Sequence, residues 1–523
     1  MSFKRLVLFG LTILAILFSG ASLFASWQKP QFQSRLELSQ TNIVLQAQAW
    51  QPEENSDENL IAIQRAILGN KPLESAAKQY QRALESVKTN LDQTEAELEK
   101  LRSPNITTTN PSQPGNDPLA DQIPLQLKQE QLTKSIGKLQ TLENELNLRW
   151  GILQTQQGET SAALDTWSQV QTNSESKLTA TASVLAGLWN ESPSSQANAQ
   201  QLIQENLEGW FRFTALKQLY QLQQNQTALA NVQTAQQTIA INSLWKLAII
   251  AIIPGITAFI GVILLIALII QLLLKGKESF LATNADQPWS TPWNVDIIIQ
   301  VFVLGFLLMG QVFIPELLSL IPLPKSSDNI RIQAFLVLVS YLMVALGAFL
   351  VLYFSIKRYF PLPEDWFKFR LFSKWFLWGI GGYCTALPIV VVVSLINQKL
   401  WQGQGGSNPL LQLVLESQDN IALLIFFFTA AVAAPFFEEF LFRGFLLPSL
   451  TRYVPVSGSI FISSLIFATA HLSLSEILPL TALGIVLGIV YTRSRNLLAP
   501  MLLHSLWNSG TLLSLFILGS SNN

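Results

Sequence analysis

"APFFEEFLFRGFLLPSL", residues 434–450, places two adjacent glutamates and an arginine inside an apolar run, directly after "IALLIFFFTAAVA" (421–433). A membrane-crossing helix needs about 20 mostly apolar residues, and a charge near its middle costs on the order of 3 kcal/mol or more. Ionisable groups held there face protein or a cavity and have partners. Glu439 and Arg443 are four apart, so on a helix they share a face at ion-pair spacing. Glu438 is rotated by about 100° and points elsewhere. The spacing thus predicts a Glu439–Arg443 pair that fixes the helix and a Glu438 free to meet another helix. The bland alternative is a glutamate that reaches water along the helix. Glu438 lies about 21 Å before Arg452, the cationic flank of this segment, which is too deep for that reach.

The rest of the chain agrees with a membrane setting. Of 523 residues, 49% are hydrophobic and 13% charged, and the mean hydropathy is +0.33, values that exclude an ordinary soluble protein. A net charge of −1 with no Lys/Arg-rich run gives no electrostatic case for nucleic acid. The lone Cys384 excludes an intrachain disulfide and a cysteine-based zinc site.

Nine apolar segments are candidate spans: 6–25, 245–273, 297–321, 332–355, 373–396, 420–447, 456–472, 477–492 and 497–518, the seventh and eighth being short. Lys4 and Arg5, "KGK" (275–277), "IKRYF" (356–360), "TRY" (451–453) and "TRSR" (492–495) fall on one side, which the positive-inside rule makes cytoplasmic. The first segment is a signal anchor or a cleaved signal peptide. Either sends the next region across the membrane.

That region, 27–243, is rich in Gln, Ser, Thr and Asn and has no His or Cys. Residues 73–103 have helical periodicity, and "SPNITTTNPSQPGNDPLADQIP" (103–124) reads as a linker. "LRWGILQTQQGETSAALDTWSQVQ" (148–171) reads as a helical hairpin turning at Gly158; without a second copy it is not a repeat array. The expected fold is therefore all-α: a polytopic membrane bundle of eight or nine spans with an inserted all-helical, non-cytoplasmic domain. Its parts are residues 1–26, 27–243, 244–419 and a catalytic core at 420–518. The host membrane is expected to be a bacterial cell membrane or a thylakoid-type internal membrane.

Both histidines of the protein fall in the last apolar segments. His471 follows Phe467 by one turn, and His504 shares a helix face with Asn508. Each alone is an interhelical hydrogen bonder; together with Glu438 they form a catalytic constellation. A carboxylate and an imidazole holding one water can deprotonate it for attack on an amide carbonyl. A second imidazole and an amide can donate to the oxyanion. Alternatively, Glu438, His471 and His504 make a catalytic zinc set with an open position. No HExxH motif supports zinc, and the metal-free, cofactor-free reading is preferred.

"EEFLFR" (438–443), "FATAH" (467–471) and "HSLWN" (504–508), in this order, resemble the CPBP intramembrane protease family, also called the Abi or CAAX-protease family. The likeness covers about a fifth of the chain. It implies Glu438 as general base beside His471, His504 and Asn508 as oxyanion site, Glu439 and Arg443 as supports, and a site reached from the cytoplasmic side. It also implies a peptide or membrane-protein substrate. The partner of the helical domain is unspecified. Two rivals remain: a non-catalytic membrane scaffold keeping this fold, and a proton-coupled transporter, disfavoured because no inverted repeat is visible.

Overall fold

The computed structural model describes residues 3–27, 33–51, 58–102, 118–172, 177–320, 329–401, 404–406, 409–417 and 419–519. Among them the elements are helices and no strand occurs. The chain forms two compact units, one of Met1–Leu36 with Ile249–Ser520 and the other centred on Glu37–Ala248.

The first unit is a multi-pass membrane bundle. Among the described residues eight helices are long and apolar enough to cross a bilayer: Arg5–Trp27, Gln226–Glu278, Val295–Ser319, Ile330–Tyr359, Trp375–Trp401, Asn420–Leu450, Leu474–Ser494 and Leu498–Gly519. The expected seventh span is realised as Val456–Thr469, whose 14 residues rise about 21 Å against a hydrocarbon core of about 30 Å. The second span is the apolar part of one unbroken helix, Gln226–Lys275. Nothing in "QTALANVQTAQQTIAINSLWK" breaks a helix, so the polar lead-in and the apolar span are one element.

Close packing of Val456–Thr469 against Leu474–Ser494 depends on small residues. A Cβ on Gly484 would stand 2.8 Å from Ser464 Cβ, and one on Gly488 would stand 2.9 Å from Ile460 Cγ2. The two glycines, four apart, let the helices approach to backbone contact, the usual device where lipid offers no hydrophobic drive. A second layer is aromatic. Trp293, fully buried, packs against Trp366 at 4.3 Å, Phe445 at 5.5 Å and Tyr359 at 5.9 Å.

In the second unit, Pro118–Gln156 and Thr160–Thr172 form the hairpin expected at 148–171, with Gly158 at φ +85°. Only glycine adopts that angle without strain. Trp167 is fully buried there and donates from Nε1 to the Leu148 carbonyl at 3.2 Å. Pro72–Arg102 begins on proline with Glu74 in its first turn and ends on Lys100 and Arg102, so its termini carry charges that complement the helix dipole. Of the stretch read as a linker, 103–117 lies outside the described residues, while 118–124 is already helix.

Candidate active site

The Asn420–Leu450 helix is not uniform. Two π-helical stretches, Thr429–Ala433 and Phe440–Leu446, bracket the α-helical Ala434–Glu439. Pro435 supplies the reason for the first. It has no N–H to give to the preceding turn, so carbonyls there lose their partner. Side chains of the Leu498–Gly519 helix take them: Ser505 Oγ donates to the Ala431 carbonyl at 2.6 Å, and Asn508 Nδ2 donates to the Ala430 carbonyl at 2.7 Å. The last helix is thereby tied, in register, to the turn just before Glu438.

Glu439 and Arg443 meet at 2.7 Å, and both side chains are fully buried. The same carboxylate oxygen, Oε1, accepts from His504 Nδ1 at 2.8 Å. Arg443 also donates to the Gly484 carbonyl at 3.2 Å and lies 4.5 Å over the ring of Phe467. Glu439 is thus a hub between Arg443 and His504, more than a helix-fixing partner of Arg443. The cluster is not saturated: Glu439 Oε2 and Arg443 Nε are buried with no hydrogen-bond partner.

With Nδ1 donating to Glu439, His504 turns Nε2 towards Glu438, whose Oε2 stands 3.9 Å away. The Glu438 side chain is 16% exposed, against none for Glu439, so the two adjacent acids occupy different surroundings. Glu438 Oε1 accepts from the hydroxyl of Tyr341 at 3.1 Å. Tyr341 comes from the Ile330–Tyr359 helix and was invisible to motif reading. Its sequence signal is slight: with Ser340 it is one of two adjacent hydroxyl-bearing residues in the otherwise apolar "FLVLVSYLMVAL" (335–346).

His471 stands at the end of Val456–Thr469, where Nδ1 donates to the Phe467 carbonyl at 3.0 Å. That bond leaves Nε2 with its lone pair free. Phe467 packs edge-on against both imidazoles, 5.1 Å from His471 and 5.8 Å from His504. Glu438, Tyr341 and His471 line one cavity of about 380 Å³, walled otherwise by Gln311, Ser340 and apolar side chains such as Phe306 and Phe442. Glu438, Glu439, Arg443, Phe467, His471 and His504 are thus joined by direct contacts or a shared cavity. Asn508 is the exception, and one of its amide hydrogens is engaged by the Ala430 carbonyl.

Among the described residues no three His, Cys, Asp or Glu side chains are disposed to hold a metal ion.

Fold and site together define a polytopic helical membrane protein with a buried carboxylate–imidazole cluster. Residues 420–510, which contain all three motifs, match the model described as type II CAAX prenyl endopeptidase Rce1-like, and the CPBP resemblance holds for this segment. The membrane-embedded CAAX protease MroQ of Staphylococcus aureus (strain USA300) is 27% identical over 137 residues, 25% of this chain and 54% of that protein. The candidate membrane peptidase YdiL of Bacillus subtilis (strain 168) is 26% identical over 133 residues, 25% of this chain and 53% of that protein. The chain spans about half the length of the curated relatives it matches. No solved structure matches.

Proposed function

We propose that the membrane unit is an intramembrane endopeptidase of the glutamate type. Glu438 takes a proton from one water held between its carboxylate and His471 Nε2. The hydroxyl oxygen bonds to the peptide carbonyl carbon, the carbonyl oxygen becomes the oxyanion, and Glu438 then passes the proton to the departing amine. His504 faces this point with Nε2, and when that atom carries a proton it donates to the oxyanion. Asn508 keeps one amide hydrogen for the same purpose beside the one it gives to Ala430. Tyr341 holds the carboxylate by the oxygen turned away from His504. Glu439 and Arg443 are positioning residues that fix His504.

The observation that carries this reading is the shared cavity. One carboxylate and one imidazole with a free lone pair line a cavity roomy enough for a peptide bond and a water, and the imidazole of His504, oriented by Glu439, stands 3.9 Å from the same carboxylate. The two bacterial relatives, named as a protease and a candidate peptidase, support the same class and, of the two membranes expected, the bacterial one. The proton transfers call for no metal or cofactor. Substrate is a peptide or membrane protein, residues 27–243 lie on the non-cytoplasmic side, and that region engages a separate protein partner.

The test is substrate trapping. Chains that co-purify with Glu438→Ala and are cut by the purified wild-type protein identify the substrate. A Glu438→Gln protein that fully complements a deletion strain would leave the scaffold reading in its place. Cleavage that survives strong chelators supports the metal-free assignment; activity lost to them and restored only by stoichiometric zinc would reverse it.

A further inference from the structure

We propose that substrate reaches Glu438 from the non-cytoplasmic face of the membrane, so that the enzyme cuts polypeptide segments presented at or just beneath that face. This rests on Glu438 being the reacting carboxylate, and it differs from the cytoplasmic access that the family resemblance implies.

The two faces of the membrane unit are chemically distinct. One carries Lys275, Lys277, Lys357, Arg358, Arg452 and Arg495. Arg5 pairs there with Asp296 at 2.8 Å, which puts the start of the first helix on the same side. The other face carries the Arg331–Asp419 pair at 2.6 Å and the contact of Ser26 with the Leu474 amide at 3.1 Å. The positive-inside rule makes the first face cytoplasmic.

The cytoplasmic face is sealed over the site. Trp289, Trp293 and Trp366 are all buried, and every indole N–H is satisfied: Trp289 by the Asp365 carbonyl at 3.2 Å, Trp293 by Ser449 Oγ at 2.9 Å and Trp366 by the Ser290 carbonyl at 2.8 Å. Arg452 clamps the Trp293 carbonyl at 2.6 Å, and the Arg495 guanidinium sits 3.4 Å over the Trp289 ring. Satisfied donors, stacked rings and two cationic clamps make a layer whose opening would break several interactions at once.

The cavity that holds Glu438 extends the opposite way. Its walls include Gln311, Ile314 and Leu318 from the last turns of Val295–Ser319, Val337 from the first turns of Ile330–Tyr359, and His471 just past Thr469. All of these helix ends belong to the non-cytoplasmic face. Their convergence directs the path to the carboxylate towards that face. Among the described residues no Lys or Arg lines the cavity and its walls are mostly apolar, so the accepted residues around the scissile bond are apolar and uncharged.

The test is sided thiol labelling in a Cys384→Ala background. Gln311→Cys and, separately, Leu318→Cys report on the cavity; Lys277→Cys reports on the basic face. A membrane-impermeant maleimide is applied to right-side-out and to inverted vesicles. The expected result is Gln311→Cys or Leu318→Cys reacting at least tenfold faster in right-side-out vesicles, with Lys277→Cys showing the reverse preference. Labelling of the cavity positions from the Lys277 side, or of folded protein from neither side, overturns the proposal. The readout needs no cleavage. A failed catalytic assignment, seen as an active Glu438→Gln protein, is therefore told apart from a failed access route.

Discussion

Replacing Glu439 by glutamine removes one charge from the buried cluster while keeping its shape. In the native protein a single oxygen of Glu439 serves Arg443 at 2.7 Å and His504 at 2.8 Å, with both members of the ion pair fully buried. The substitution leaves Arg443 as a cation without its contacting countercharge, and stranding one member of a buried pair costs about 3–5 kcal/mol. That is a large part of the 5–15 kcal/mol typical of a folded domain, and more than 100-fold in the unfolding equilibrium. Removing the stranded cation as well, in Glu439→Gln with Arg443→Met, should recover most of the loss, because apolar replacement of a buried pair is often close to neutral. Catalysis should not recover with it. A glutamine can turn either its oxygen or its nitrogen to His504 Nδ1, and the nitrogen selects the wrong tautomer. A loss of about 10² or more in kcat is expected in both proteins, as for other groups that orient a catalytic imidazole.

The assay is unfolding of the purified protein in mixed micelles by denaturing detergent, for wild type, both single variants and the double variant, beside kcat on the trapped substrate. A Glu439→Gln protein within about 1 kcal/mol of wild type would refute the account, since desolvation would then not be limiting. So would a double variant no more stable than the single ones. A double variant with full activity would remove Glu439 from the positioning of His504.

Tyr341→Phe deletes one hydrogen bond to a carboxylate, worth about 1.5–3 kcal/mol, so the protein should still fold with an unfolding free energy lowered by no more than that, while kcat falls roughly 10- to 100-fold as the carboxylate loses its orientation. Gly484→Leu drives a side chain into Ser464 and should destabilise by about 1–3 kcal/mol or more, measured in the same micelle titration. In the second unit, burial pushes the Tyr80 hydroxyl up to about 12, against 10.0 ordinarily, despite the nearby Arg149 and the bond to Asn42. The unfolded chain then releases this proton first as pH rises. Stability is complete below about pH 10 and declines towards pH 12, by about 3 kcal/mol at most, and Tyr80→Phe should flatten that decline in thermal midpoints of the full-length protein.

The parts of this protein that could be read from sequence are those fixed by local spacing. Apolar runs of span length gave the membrane helices, and the four-residue interval between Glu439 and Arg443 gave their contact. What escaped depends on which helices become neighbours. Nothing in the string tells that Tyr341, almost a hundred positions before Glu438, will face it, because a tyrosine in an apolar helix is as compatible with any other neighbour. The same holds for the second bond of Glu439, which reaches His504 on the last helix.

A subtler case is Asn508. Opposite an ordinary helix, whose carbonyls are already used, both of its amide hydrogens would be available to an oxyanion; here one is engaged by the Ala430 carbonyl. Pro435 withdraws an N–H from that helix, the turn widens into π geometry, and freed carbonyls must find donors in a medium without water. Ser505 and Asn508 are those donors, so the proline, the wide turn and the paired side chains form one unit split across seventy residues. The consequence is mechanical. The same bonds that satisfy a broken helix hold His504, one turn before Asn508, at a fixed height against Glu438, so the backbone defect and the position of the reacting groups cannot vary independently.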